Sequence, residues 1–296
     1  MSVEKSDIQA LVRDFSIETT PKSAVNVGDF GHWLAPQTRV YVTFLPSSPL
    51  DATLETSIIL KAQGMNPVPH LAVRSIESEA QLHYALGRLA DAKVDNILLI
   101  AGAVRNAKGP YTSVQKVLQS NILNEYPISS IGFAGHPEGS PDIPPAEVDY
   151  AEAIKRAYAL NHPREYHLVS QFVFDAKPVI AWQERLNERN IVFPLHVGVP
   201  GLATIKTLIK HAKACGVGPS MMFLIKSGHG IRHLMGISTP DKLIYDLAAY
   251  NREHPETSLI KQLHFYPLGG FQQTVEWIKA IEQGQFTLTE TGFYVH

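Results

Sequence analysis

The feature that most constrains this chain is an alternation repeated almost from end to end. Short apolar runs rich in β-branched residues are each followed by a longer stretch with helical spacing. The runs fall at 14–17, 39–45, 68–73, 96–102, 130–135, 167–174, 193–199 and 263–268. VYVTFL, NILLIAG and LVSQFVF are nearly continuous in apolar residues, as expected of strands covered on both faces of a parallel sheet. Helical patterns occupy 54–62, 79–90, 114–123, 147–159, 179–190 and 202–214. A last one at 271–283 runs up to Gly284, a residue suited to a helix C-terminus. Eight strands separated by helices in 296 residues predict a single-domain α/β fold, the (β/α)8 TIM barrel, which typically takes about 250 residues. A doubly wound open sheet is the alternative, but no Gly-rich phosphate fingerprint follows the first strand. The long connection 216–255 reads as extra helix and loop on the catalytic face of one domain spanning 1–296.

Composition narrows the function classes. An apolar fraction of 45% is ordinary for a globular chain able to bury a sizeable core. With 26 basic and 28 acidic side chains, a net charge of −2 and no Lys/Arg block, nothing points to a nucleic-acid partner. No apolar run reaches the roughly 18 residues of a membrane span, and MSVEKSDIQALVRDF lacks the apolar segment of a signal peptide. The expectation is a cytoplasmic protein with no membrane partner. The single Cys215 excludes an intramolecular disulfide and any multi-cysteine metal site. It follows a helical run, where the dipole disfavours a thiolate, so packing is its expected role.

In a (β/α)8 barrel the chemistry sits at the C-terminal ends of the strands. The expected ends carry Glu18, Thr43, His70, Gly102, His136, Glu138, Gln171, Asp175, His196, His264 and Tyr266. Glu18 stands directly after a buried-looking FSI. A carboxyl group there can be partly desolvated, which favours its protonated form and suits it to acid catalysis; capping a loop is the plainer role. His70, His196 and His264 raise the idea of a metal at the barrel mouth, as in barrel hydrolases. No strand has a His-x-His pair, and His229 and His233 lie in a Gly-containing stretch that makes a weak helix. Hydrogen-bonded histidines are therefore expected, with no metal.

Taken in order, the strand-end segments FSIETTPK (15–22), VYVTFLPS (40–47), PHLAVRS (69–75), NILLIAG (96–102), GPYTSVQKVL (109–118), FAGHPEG (133–139), QFVFDA (171–176) and HFYPLGG (264–270) resemble the methylenetetrahydrofolate reductase family. PHL and QFxFD are specific when they occur together in register. The resemblance implies a barrel that holds FAD and interconverts 5,10-methylenetetrahydrofolate and 5-methyltetrahydrofolate with NAD(P)H. It implies Glu18 as the acid that opens the folate imidazolidine ring. Gln171, Phe174 and Tyr266 are implied as folate-binding residues. Thr43, His70, Gly102, Tyr111 and His136 are implied on the cofactor side, with Tyr111 near the FAD adenosine.

The chain departs from the family pattern around the flavin. Ala101-Gly102-Ala103 stands where Arg-Gly-Asp is common, His136 and Ser140 replace a tyrosine and a histidine, Ala157 replaces a lysine, and Gly270 replaces an arginine. Each lost ionic hydrogen bond costs about 1.5–3 kcal/mol, which points to weak FAD binding or direct hydride transfer from NAD(P)H. Arg74 and Arg105, just beyond strand ends, are candidate compensating ligands for a pyrophosphate. The leading expectation is thus a reductase of folate one-carbon units, compatible with a homo-oligomer. The alternatives are a folate-binding regulatory barrel without catalysis and a metal-dependent barrel hydrolase.

Overall fold

The computed structural model describes residues 3–46, 48–140, 143–214 and 237–296. Cys215, His229, His233 and the segment 216–236 lie outside them; what is described of the long connection includes a helix, Asp241–Glu253.

The eight main strands are β1 (Ser16–Thr19), β2 (Arg39–Val42), β3 (Asn66–Ala72), β4 (Asn96–Ile100), β5 (Ser130–Gly135), β6 (Glu165–Phe172), β7 (Leu195–Pro200) and β8 (Ile260–Tyr266). They close into a parallel barrel in the order β1-β8-β7-β6-β5-β4-β3-β2 and alternate with helices, the (β/α)8 TIM barrel expected from the sequence. β1 begins and ends two residues later than expected, which makes Glu18 its third residue instead of the one after it. Thr20 fixes that end: its hydroxyl accepts from the Ser23 N–H at 3.1 Å, and Pro21 takes the first position of the helix Pro21–Val27. β2 ends at Val42, so Thr43 is the first residue beyond it.

By their internal contacts the residues form two compact units. One comprises Met1–Ile17, Gly135–Val148 and Val169–His296. Its helix Lys5–Val12 is capped reciprocally, the Glu4 N–H donating to Asp7 Oδ2 at 2.8 Å. Its strand ladder is held from within by Ser16 Oγ, 2.9 Å from His264 Nδ1, both fully buried. A terminal hairpin, Phe286–Leu288 with Phe293–Val295, buries Phe286 against Phe293.

The other unit comprises Glu18–Ala134 and Asp149–Leu168. Leu54, Leu60, Leu71 and Phe133 are among the large side chains buried there. The helix Pro145–Asn161 buries two charged residues, Glu152 and Lys155. Lys155 Nζ donates to the Ala134 carbonyl at 2.9 Å and lies 5.7 Å from the centre of the Phe133 ring. Burial lowers its ammonium from 10.5 to about 8, with Glu152 opposing the shift. Below pH 8 Lys155 is charged in both folded and unfolded chains, and folding bears the desolvation cost. Between about 8 and 10.5 the unfolded chain binds more protons, so this residue's contribution to stability rises with pH. Lys155→Met should therefore show its most favourable stability relative to wild type below pH 8. That difference should fall by roughly 2–3 kcal/mol by pH 10.5, read from urea unfolding of both proteins across this range.

Candidate active site

Glu18, Thr43 and His70 come together at the C-terminal ends of β1, β2 and β3. The Thr43 hydroxyl donates to Glu18 Oε1 at 2.7 Å, and His70 Nε2 lies 3.7 Å from Glu18 Oε2. The two ionisable side chains keep only 16% (Glu18) and 8% (His70) of their surface exposed. The backbone builds the same corner: the Thr43 N–H donates to the Thr19 carbonyl at 2.9 Å, extending β2 one residue along β1. A carboxyl group with little access to bulk water needs hydrogen bonds in either protonation state; Thr43 bonds one oxygen, and the His70 imidazole stands near the other, beyond hydrogen-bond length.

Behind the cluster lie two residues that sequence reasoning missed. The Tyr41 hydroxyl sits 2.8 Å from His167 Nε2, and the Tyr41 ring meets the His70 ring edge-on, with centroids 6.0 Å apart. Both Tyr41 and His167 are buried. Gly132 makes room for the pair, since a Cβ there would lie 2.7 Å from His167 Nε2. Burial first, and the Glu18 charge after it, push the Tyr41 phenol above its usual range against the pull of Arg39, so it stays neutral at physiological pH. The signal was available: strand side chains alternate, so Tyr41 shares a face with Thr43, two residues on.

The expected flavin-side residues are placed unevenly. Gly102 has φ +87°, and a Cβ there would lie 2.9 Å from the Ala72 Cβ, so packing alone explains the glycine. Arg74 Nε donates to the Thr112 carbonyl at 2.9 Å, and its backbone N–H donates to Ala101. Arg105 is exposed. Tyr111 is buried inside its unit, at 3% exposure, and burial with the nearby Glu79 raises its phenol's pKa. A concavity of about 190 Å³, lined in part by Phe44, Ser75, Glu77 and Lys108, opens beside these strand ends. It is smaller than the roughly 300–1,000 Å³ usual for drug-sized ligands, too small for a pterin with its side chain.

In the other unit, the Gln171 side chain is half-buried and its Oε1 accepts from the Phe172 N–H at 3.2 Å. Gly198 permits the close approach of β7, since a Cβ there would lie 2.5 Å from the Gln171 carbonyl oxygen. Phe174 belongs to an apolar cluster with Phe172, Leu208 and Ala212, against which Tyr266 and Leu268 also pack. The Tyr266 hydroxyl donates to the Ser170 carbonyl at 3.0 Å. Leu268 has φ +52°, a rare conformation for a branched side chain, in the turn that ends β8. His136, just after β5, is half-buried, and its carbonyl accepts from the Gly139 N–H.

His264 is bonded to Ser16 and His70 faces Glu18. Among the described residues, no three or more His, Cys, Asp or Glu are grouped to hold a metal ion. No helix among them is long and apolar enough to cross a membrane. No family model matches the chain.

The fit at Gly102 is testable. Gly102→Ala combines a left-handed φ with a contact against a rigid Cβ and should cost about 1–3 kcal/mol. Ala72→Gly in the same chain relieves the contact but not the φ, so it should recover only part of the loss in chemical unfolding.

Proposed function

We propose that this chain is an oxidoreductase of the methylenetetrahydrofolate reductase type. It interconverts 5,10-methylenetetrahydrofolate and 5-methyltetrahydrofolate, with electrons from or to NAD(P)H. The observation that carries this reading is Glu18, a carboxyl group at the end of β1 held by Thr43 and His70. Reduction of a methylene bridge between two folate nitrogens needs a proton on the nitrogen that leaves. Glu18 supplies it, the C–N bond breaks, and the carbon left as an iminium at N5 accepts hydride. General acid catalysis is worth about 10²–10⁴-fold.

Gln171 supports the same reading: its Oε1 is engaged by the Phe172 N–H, so its NH2 is the end offered to a pterin acceptor. Phe174 and Tyr266, which the resemblance implies as folate-binding, pack in an apolar cluster of the same unit as Gln171. The residues on the flavin side fit a retained FAD poorly. Tyr111 is buried, and Ala101 and Ala103 carry no charge, while Arg74 gives its Nε–H to a backbone carbonyl. The reaction is therefore read without a resident flavin, with the nicotinamide delivering hydride to the folate carbon at about 3–3.5 Å. A folate-binding barrel without catalysis has no use for a carboxyl group held this way.

Glu18→Gln should lower NAD(P)H-dependent turnover of methylenetetrahydrofolate by about 10²–10⁴-fold with unfolding unchanged. A variant that kept more than about half of wild-type activity would remove Glu18 from the chemistry.

The purified protein should be colourless, and its turnover should not change when FAD is added to flavin-stripped enzyme. Stoichiometric FAD retained through purification, with activity strictly dependent on it, would overturn the flavin-free reading and leave the acid intact.

A further inference from the structure

The Thr43 hydroxyl has one hydrogen and two acceptors within reach. Its Oγ1 is 2.7 Å from Glu18 Oε1 and 3.1 Å from the Thr19 carbonyl oxygen. A hydroxyl can donate only once at a time but can also accept. When Glu18 is ionised, the hydrogen belongs on Oε1, where a charge-assisted bond is the stronger of the two. When Glu18 is protonated, Oε1 can itself be the donor. Its O–H then points to Thr43 Oγ1, and the Thr43 hydrogen turns to the Thr19 carbonyl. That carbonyl has a second lone pair for it, the first being taken by the Thr43 N–H at 2.9 Å.

We infer that Thr43 is a two-way hydrogen-bond switch that keeps Glu18 in one place through both of its protonation states. The inference rests on Glu18 being the acid of the proposed reaction. It makes Thr43 a positioning residue of that acid, a role distinct from the cofactor contact that the sequence suggests. The titratable side chains facing Glu18 include His70 on β3, near the other oxygen, and Tyr41 on β2, whose phenol stays neutral. To give its proton to a folate nitrogen the Glu18 O–H first turns away from Thr43 Oγ1, and the Thr43 hydrogen swings from the Thr19 carbonyl to Oε1 in its place. Glu18 thus keeps a hydrogen bond to Thr43 before and after the step, which holds the acid in its oriented place.

A one-way donor behaves differently. It holds only the anion, and removing it raises the carboxyl group's titration midpoint by about one pH unit or more. A two-way switch supports both forms, so removing it moves the midpoint little.

The test is an infrared pH titration of protein carrying ¹³C-carboxyl glutamate, with the Glu18→Gln protein subtracted to isolate the Glu18 signal. Wild type is compared with Thr43→Val, which keeps the shape, and with Thr43→Ser, which restores the hydroxyl. In Thr43→Val the C=O stretch of protonated Glu18 should rise, because its O–H has lost an acceptor, while the midpoint moves by less than about half a pH unit. Turnover should fall about 10- to 100-fold in kcat with KM within about twofold, the loss of an oriented acid. Thr43→Ser should restore the stretch and kcat. An unchanged stretch in Thr43→Val overturns the switch, and so does a midpoint raised by a pH unit or more. The titration needs no substrate, so a protein that turns over no folate defeats the functional reading while the infrared result still decides the switch.

Discussion

A strand in a closed parallel barrel commits its backbone hydrogen bonds to the neighbours on either side. Chemistry is therefore left to side chains and to the few backbone groups beyond the ladder. In this chain that constraint places the ionisable groups. Glu18 and His70 lie at or near strand ends, and Thr43 is the first residue past its strand, tied back by one more ladder-like bond to Thr19. Side chains one strand position earlier face the opposite way, which is why Val42, beside Thr43 in sequence, is wholly buried among apolar groups.

Placing a carboxyl group where little of its surface meets water has consequences for its neighbours. Desolvating an ionised carboxylate costs several kcal/mol unless other groups replace the lost water. A hydrogen bond to a charged group returns about 1.5–3 kcal/mol. Thr43 supplies such a bond at Glu18, with the His70 imidazole nearby, without the permanent charge of an arginine, which would hold the group ionised. A hydroxyl and an imidazole each suit either form of the carboxyl group, as the proposed acid role requires. Tyr41 and His167 then form the wall behind His70, a polar pair whose members bond each other inside an otherwise apolar interior.

Much of this was legible in the sequence, and the misses have physical causes. The bounds of β5 are legible because its apolar run begins after Pro127 and two serines and breaks at His136-Pro137. β1 was placed two residues early because Asp14 and Phe15 look like strand residues, while the true end is set by a Thr20–Pro21 helix start. The helix Pro21–Val27 escaped notice because it buries no residue and so has no apolar stripe. Lys5–Val12 escaped because its cap is Glu4, an unusual residue for that position, closed by Asp7. The strand-end position of Glu18 and the identities of Thr43 and His70 were readable, but their mutual contact was not, since it depends on strands 25 and 52 residues apart in number meeting in register. Tyr111 was expected near a cofactor, and the motif that suggested it says nothing of its burial.

The same reasoning bears on the positions where the chain departs from the family it resembles. A loop that gives up charged side chains must still satisfy its backbone. Here Arg74 does so, its main chain bonding Ala101 and Lys108 and its guanidinium closing on Thr112. Arg74 is thereby part of the fabric joining the loops after β3 and β4. Gly102 adds to this, its left-handed backbone letting the second loop lie directly on Ala72. Bonds and packing of this kind hold the two loops against each other. A ligand that inserted between these two loops would have to displace bonds the protein makes to itself.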